Sequence, residues 1–144
     1  MPDYQAMFEP DEKRSGYVVT FPDLGHGATQ GETIEEAHEM ARDLLRAILG
    51  ELMKRGEAFP MPKKRRGRNV HAVALPALQA AKVDLYFAFR QSNIRKAEFA
   101  RRMGIPKTSV ERLFDLDHAS RFDQIEDAFA ALGKKIEFRI LDAA

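Results

Sequence analysis

The side chains best suited to chemistry in this 144-residue chain lie in residues 96–114. Lys96, Lys107, Thr108, Ser109 and Arg112 are set there among Ala100, Gly104, Val110 and Leu113. These polar types support recognition of phosphates and base edges rather than bond making. The spacing predicts two short helices about a tight turn. Ala100 is small enough for the second helix to cross close to the first. Gly104 opens the turn, where a Cβ would strain a left-handed backbone. Val110 and Leu113 face inward on the second helix and set the angle between the two. Lys107, Thr108, Ser109 and Arg112 then fall on the outward face and N-terminal end of that helix, the arrangement of a DNA-binding helix-turn-helix. Arg112, about one turn on, suits a guanine edge or a phosphate. The apolar spacing alone also fits a plain helical hairpin; the Ala, Gly and Val offsets with basic flanks favour DNA binding.

Other chemistries find less support. There is no cysteine, so no disulfide framework, thiolate nucleophile or thiolate metal site. The histidines, His26, His38, His71 and His118, are scattered, and no two have ligand spacing. No metal or cofactor is expected. Phe87, Phe89, Phe99, Phe114, Phe122 and Phe129 recur at core-like spacing and are expected to pack.

The elements that would position the motif can be read along the chain. Residues 2–9 alternate, with Tyr4, Ala6 and Phe8 on one face of a strand. Tyr17-Val18-Val19-Thr20-Phe21 forms a second strand, and the two make a hairpin. A turn-rich loop over 22–27 leads to a short third strand near 28–30. Thr33 and Glu36 form a capping box for a helix to about Arg55, with Ile34, Ala37, Ala41, Leu44, Leu45, Ile48 and Leu52 as its apolar stripe. Residues 57–69 form a proline-punctuated basic linker, read either as solvated or, over 63–68, as a nucleic-acid patch, with the solvated reading favoured. Residues 70–75 read as a strand returning to the sheet, and Pro76 opens a helix to about Arg90. After the motif, a helix over 122–132 closes at Gly133, and residues 135–140 alternate as a last strand. A lone strand has unpaired edges, so pairing with a second copy is expected, making a homodimer or higher oligomer suited to a two-fold operator. The division is 1–75 and 76–144, in an α+β chain whose second part is all-α apart from that dimerising strand.

The formal net charge of +1 conceals an asymmetry: residues 1–60 sum to −6, residues 61–121 to +9 and residues 122–144 to −2. The basic middle would be drawn to phosphates, and the acidic front suits a basic protein partner. No apolar run reaches membrane length, and Met-Pro-Asp-Tyr lacks the features of a signal peptide, so a cytoplasmic location is expected.

Phe21-Pro22-Asp23-Leu24, Thr29, Gly31, Thr33, Glu36, Ala37 and Ala41 together form a string that resembles the HicB antitoxin family. Gly25-His26-Gly27 departs from it, since the family usually has Pro-Gly there followed by a varied residue. The C-terminal half resembles the family's helix-turn-helix variant. By resemblance to phage-repressor-type domains, Lys96 would meet a phosphate and brace the second helix. The resemblance implies an N-terminal partial RNase H-like β-β-β-α-β domain that binds and blocks HicA, a small basic mRNA-degrading ribonuclease. It also implies a C-terminal domain that binds operator DNA and represses the shared operon. Candidate toxin contacts are Pro22, Asp23, Leu24 and His26 in the loop and Glu35, Glu39 and Asp43 on the polar helix face. A nuclease would need carboxylates converging on metal ions. Here the N-terminal acids fall in turns or on the helix surface, with no clear partner for Asp23, so no catalytic residue is assigned. The alternative function is a stand-alone helix-turn-helix regulator with a sensing N-terminal domain.

Overall fold

The computed structural model describes residues 1–143. Four strands form one antiparallel sheet: β1 (Gln5–Pro10), β2 (Tyr17–Thr20), β3 (Ala28–Gly31) and β4 (Val70–Ala72), in the order β3-β2-β1-β4. Alternation of the β1 segment places Tyr4, Ala6 and Phe8 inward, each at most 1% exposed. A one-turn 3-10 helix (Pro22–Leu24) follows β2. Helix α1 (Ile34–Arg55) covers the inward face of the sheet. The capping box forms as the sequence predicts: Thr33 Oγ1 accepts from Glu36 N at 3.1 Å, and Glu36 Oε2 accepts from Glu32 N at 3.0 Å.

Gly31, in the strand before this helix, has no room for a side chain. A Cβ on Gly31 would lie 2.4 Å from Ala37 N and 2.7 Å from Ala37 Cα, both backbone atoms that cannot move aside. The strand therefore meets the first turn of α1 at a distance only glycine permits.

Helix α1 buries more than the expected stripe. Leu49 and Met53, outside that stripe, are fully buried. Met53 lies toward the second half of the chain, made of α2 (Ala77–Gln91), α3 (Lys96–Met103), α4 (Lys107–Leu113) and α5 (Phe122–Ala131). Met53 and Phe114 line one hollow, and Arg46 of α1 bonds Asp117 at 2.7 Å. The buried side chains form one contiguous cluster from the sheet to α5. Its second half is aromatic, with Phe114 packed on Tyr86, Phe89 and Phe99 at ring separations of 5.4, 5.1 and 6.1 Å.

Three expectations are corrected. The 57–69 segment is mostly exposed as expected but is anchored rather than free: Phe59 is buried, Tyr4 Oη donates to Pro60 O at 2.7 Å, and Phe8 N donates to Asn69 O at 2.7 Å. Burial, with the charge of Asp23 adding to it, pushes the Tyr4 phenol up to about 12. Residues 135–140 form no strand in the single chain, because no neighbouring strand lies beside them; Phe138 and Ile140 are 74% and 85% exposed. Phe122 is 46% exposed and lies edge-to-face with the exposed Phe138, so it is not a core aromatic.

Lys82 is fully buried on α2. Its Nζ donates to the carbonyls of Arg112 (3.0 Å), Asp115 (2.7 Å) and His118. The last carbonyls of a helix lack intrahelical partners and carry partial negative charge, so a cation there is favourable. Burial pushes the ammonium below the usual lysine range, opposed by Asp115. Lys82 thus fixes the end of α4 and the loop after it.

Two measurements check this fold. Gly31→Ala should lower the unfolding free energy by roughly 2–4 kcal/mol, since backbone must shift to admit the methyl. Lys82→Met keeps the apolar stem and removes the ammonium that these three carbonyls share with the backbone N–H groups of Asp115, His118 and Ser120. It should lower the unfolding free energy by about 2–5 kcal/mol in denaturant titration. A change under about 0.5 kcal/mol in either variant contradicts the corresponding contact.

Candidate functional site

Two surfaces collect the candidate residues. The first is the corner between α3 and α4. Gly104 ends α3 in the left-handed region at φ 67°, and Ile105 N closes the turn on Ala100 O at 3.1 Å. Pro106 precedes α4 with an extended backbone. Ala100, Val110 and Leu113 are buried as the spacing predicts. Lys107, Thr108 and Arg112 are exposed, and Lys96 and Ser109 are half-buried. Among the described residues, Lys96, Lys107 and Arg112 take part in no salt bridge. Arg101 and Arg102, also on α3, both pair with Glu98. The α4 cations are therefore available to an outside anion, whereas the α3 arginines are already partly neutralised.

The second surface lies on the N-terminal half, where the candidate residues divide. Glu35, Glu39 and Asp43 are exposed and recur every four residues along α1, a spacing that keeps them in one row. Pro22 and His26 are exposed in the preceding loop. Leu24 is in the core. Asp23 does have partners: its side chain is 4% exposed and accepts from Arg65 Nη2 at 2.8 Å and Lys63 N at 3.0 Å. The Arg65 hydrogen bond, followed by that from Lys63, holds the Asp23 carboxyl below the usual carboxylate range. Asp23 and Leu24 thus shape the loop, and Pro22, His26 and the α1 row present the surface. Asp43 also lies 3.9 Å from Arg46, which bonds Asp117 in the loop after α4.

The fold also assembles groups that sequence spacing separates. His38 and His71 stand 5.3 Å apart, each against Phe8 at 4.5 and 4.9 Å, so these two histidines are not scattered. Burial, then His71 and Arg42, hold His38 below the usual histidine range, opposed by Glu35. Among the described residues no group of three or more His, Cys, Asp or Glu side chains is arranged to hold a metal ion. Nor is any helix among them long and apolar enough to cross a membrane. Lys82 is the supporting residue that charge counting overlooks. Its signal is positional: 82, 85, 86 and 89 share one helix face, and its three companions are Leu, Tyr and Phe.

A family profile described as HicB_like antitoxin of bacterial toxin-antitoxin system matches residues 3–84. Antitoxin HicB of Escherichia coli (strain K12) is 40% identical over 84% of this chain and 87% of its own length. Antitoxin HicB 1 of Photorhabdus laumondii is 36% identical over 95% of this chain and 86% of its own. Antitoxin HicB of Pseudomonas fluorescens is 35% identical over 92% and 91%. A chain of a toxin-antitoxin complex from Streptococcus pneumoniae superimposes with a TM-score of 0.46 at 21% identity, covering 76% of this chain and 92% of its own, a likeness too slight to bear on the fold. The match across the sheet and α1, joined to relatives that align through the second half as well, places this chain in the HicB-like antitoxin family of bacterial toxin–antitoxin systems.

Proposed function

We propose that this antitoxin neutralises a HicA-like ribonuclease by binding it through the N-terminal half and represses its own operon by binding operator DNA through α4. The observation that carries the DNA half is the set of polar side chains at α3 and α4: Lys107, Thr108 and Arg112 exposed, Lys96 and Ser109 half-buried beside them, with Lys96, Lys107 and Arg112 in no salt bridge among the described residues. In this reading α3 and α4 are a helix-turn-helix, α4 enters the major groove, and Lys82 holds it at the required angle. Thr108, Ser109 and Arg112 reach base edges, and Lys96 and Lys107 meet phosphates.

The toxin half rests on family membership and charge. A basic ribonuclease fits the row Glu35, Glu39 and Asp43, together with Pro22 and His26 of the loop after β2, and binding occludes the toxin without any reaction by the antitoxin. The β-β-β-α-β order of residues 1–75 supports a partial RNase H-like domain for this role, and residues 76–144 then form the DNA-binding part. The exposed Phe138, Ile140 and Leu141 support pairing of residues 135–140 with a second copy, giving a dimer or higher oligomer in the cytoplasm. Covering those side chains removes an exposed apolar strip and creates the two-fold symmetry a palindromic operator requires.

Lys107→Ala combined with Arg112→Ala tests the assignment. In gel shifts with the upstream region of the operon, affinity should fall at least about 30-fold, the loss of roughly 2 kcal/mol or more from two contacts. Pull-down of the toxin encoded by the neighbouring reading frame should be unchanged. Unaltered operator affinity contradicts the role given to α4.

A further inference from the structure

The basic run Lys63-Lys64-Arg65-Arg66-Gly67-Arg68 reads as a solvated linker from sequence, yet the structure holds it on the sheet as a strap. Four bonds pin the strap along its length. Tyr4 Oη donates to Pro60 O at 2.7 Å, Lys63 N to Asp23 Oδ2 at 3.0 Å, Arg65 N to Gln5 Oε1 at 2.6 Å, and Phe8 N to Asn69 O at 2.7 Å. Arg65 turns inward and is neutralised by Asp23. The other four cations, Lys63, Lys64, Arg66 and Arg68, are exposed. Among the described residues none of the four takes part in a salt bridge.

This arrangement has a physical consequence. A solvated linker would have to lose backbone freedom when it met a partner, at about 1–2 kcal/mol per residue ordered. The strap has already lost that freedom in the folded chain, so the backbone that carries its four charges is preorganised. They stand on the half of the chain whose first 60 residues sum to −6, where they supply a positive strip on an otherwise DNA-repelling half. A row of closely spaced, unpaired Lys and Arg side chains complements a polyanion whose charges are themselves closely spaced. Duplex DNA carries one negative charge per about 1.7 Å of axis.

We infer that the 63–68 strap is a second DNA-contacting surface, binding the phosphate backbone of duplex DNA without reading its sequence. It rests on the reading of this chain as a DNA-binding protein, though not on α4 as the reader. The strap adds affinity and salt dependence, and base discrimination stays with α4.

The test measures binding of the full chain by fluorescence anisotropy across a salt series. The probes are a duplex from the region upstream of its gene and a random-sequence duplex of equal length. One variant carries Lys63→Ala, Lys64→Ala, Arg66→Ala and Arg68→Ala together, with Arg65 kept to preserve the anchor. A second keeps the charge through Lys63→Arg, Lys64→Arg, Arg66→Lys and Arg68→Lys. Each phosphate contact contributes about 0.9 to the slope of log K against log salt, so the alanine variant should lose roughly 2–4 units of slope on both duplexes. The charge-preserving variant should keep the parental slope. A parental slope in the alanine variant overturns the proposal, and is the result if the strap instead meets an acidic protein. An equal loss in the charge-preserving variant also overturns it. A lowered slope with no preference between the duplexes supports the strap and contradicts α4 as a sequence reader. A chain that binds neither duplex at low salt contradicts both.

Discussion

Helix α1 carries apolar side chains on more than one face, and each has to be removed from water. One side of the helix packs on β2 and β3, while Met53 shares a hollow with Phe114 and Gly50 lies beside Leu116. Each large side chain so buried contributes about 1.5–3 kcal/mol. Residues after 76 cover that other side. Because they do, α1 sits between the surface assigned to the toxin and the corner assigned to DNA. The same helix that shows Glu35, Glu39 and Asp43 to solvent carries Arg46, which bonds Asp117 just past α4. The two candidate surfaces are therefore parts of one packed body.

Within that body, two charged side chains have been turned inward to order backbone. Lys82 gathers the carbonyls at the end of α4, and Asp23 gathers an N–H and a guanidinium from the strap. Each ties together backbone that is distant in sequence, and in return a buried charge keeps several partners. Neither residue is suited to face a macromolecular partner. What remains for partners is the charge these two do not neutralise: acidic along α1, basic on α4 and on the strap. In the proposed reading, separating the signs in this way would let one small chain attract a basic protein and a polyanion without the two competing for the same side chains.

Local patterns in the sequence were enough for most elements. The alternation of Tyr4, Ala6 and Phe8, the Thr33 capping box and the glycine at the end of α3 all depend on neighbours within a few residues, and all stand where expected. The exposure of Lys107, Thr108 and Arg112 was legible for the same reason, because burial of Val110 and Leu113 determines which way the rest of α4 points, though Ser109 ends half-buried. Features that depend on distant contacts were not legible. Asp23 meets Arg65 across 42 positions, and Lys82 meets Asp115 across 33. His38 and His71 meet only because β4 returns beside β1, the strand that carries Phe8. Lysine and aspartate are read as surface residues by default, so buried examples are misplaced unless the helix face is counted. Residues 135–140 have the alternation of a strand but no partner within the chain, and alternation says nothing about whether a partner exists.

The central claim is that one packed chain carries two separate binding surfaces of opposite charge. Size-exclusion chromatography with light scattering tests it most directly. The full chain is mixed with the upstream duplex and one equivalent of the toxin encoded beside it. The account predicts a single species containing toxin, antitoxin and DNA. Displacement of the duplex by equimolar toxin, or a toxin that fails to join the complex, would contradict it.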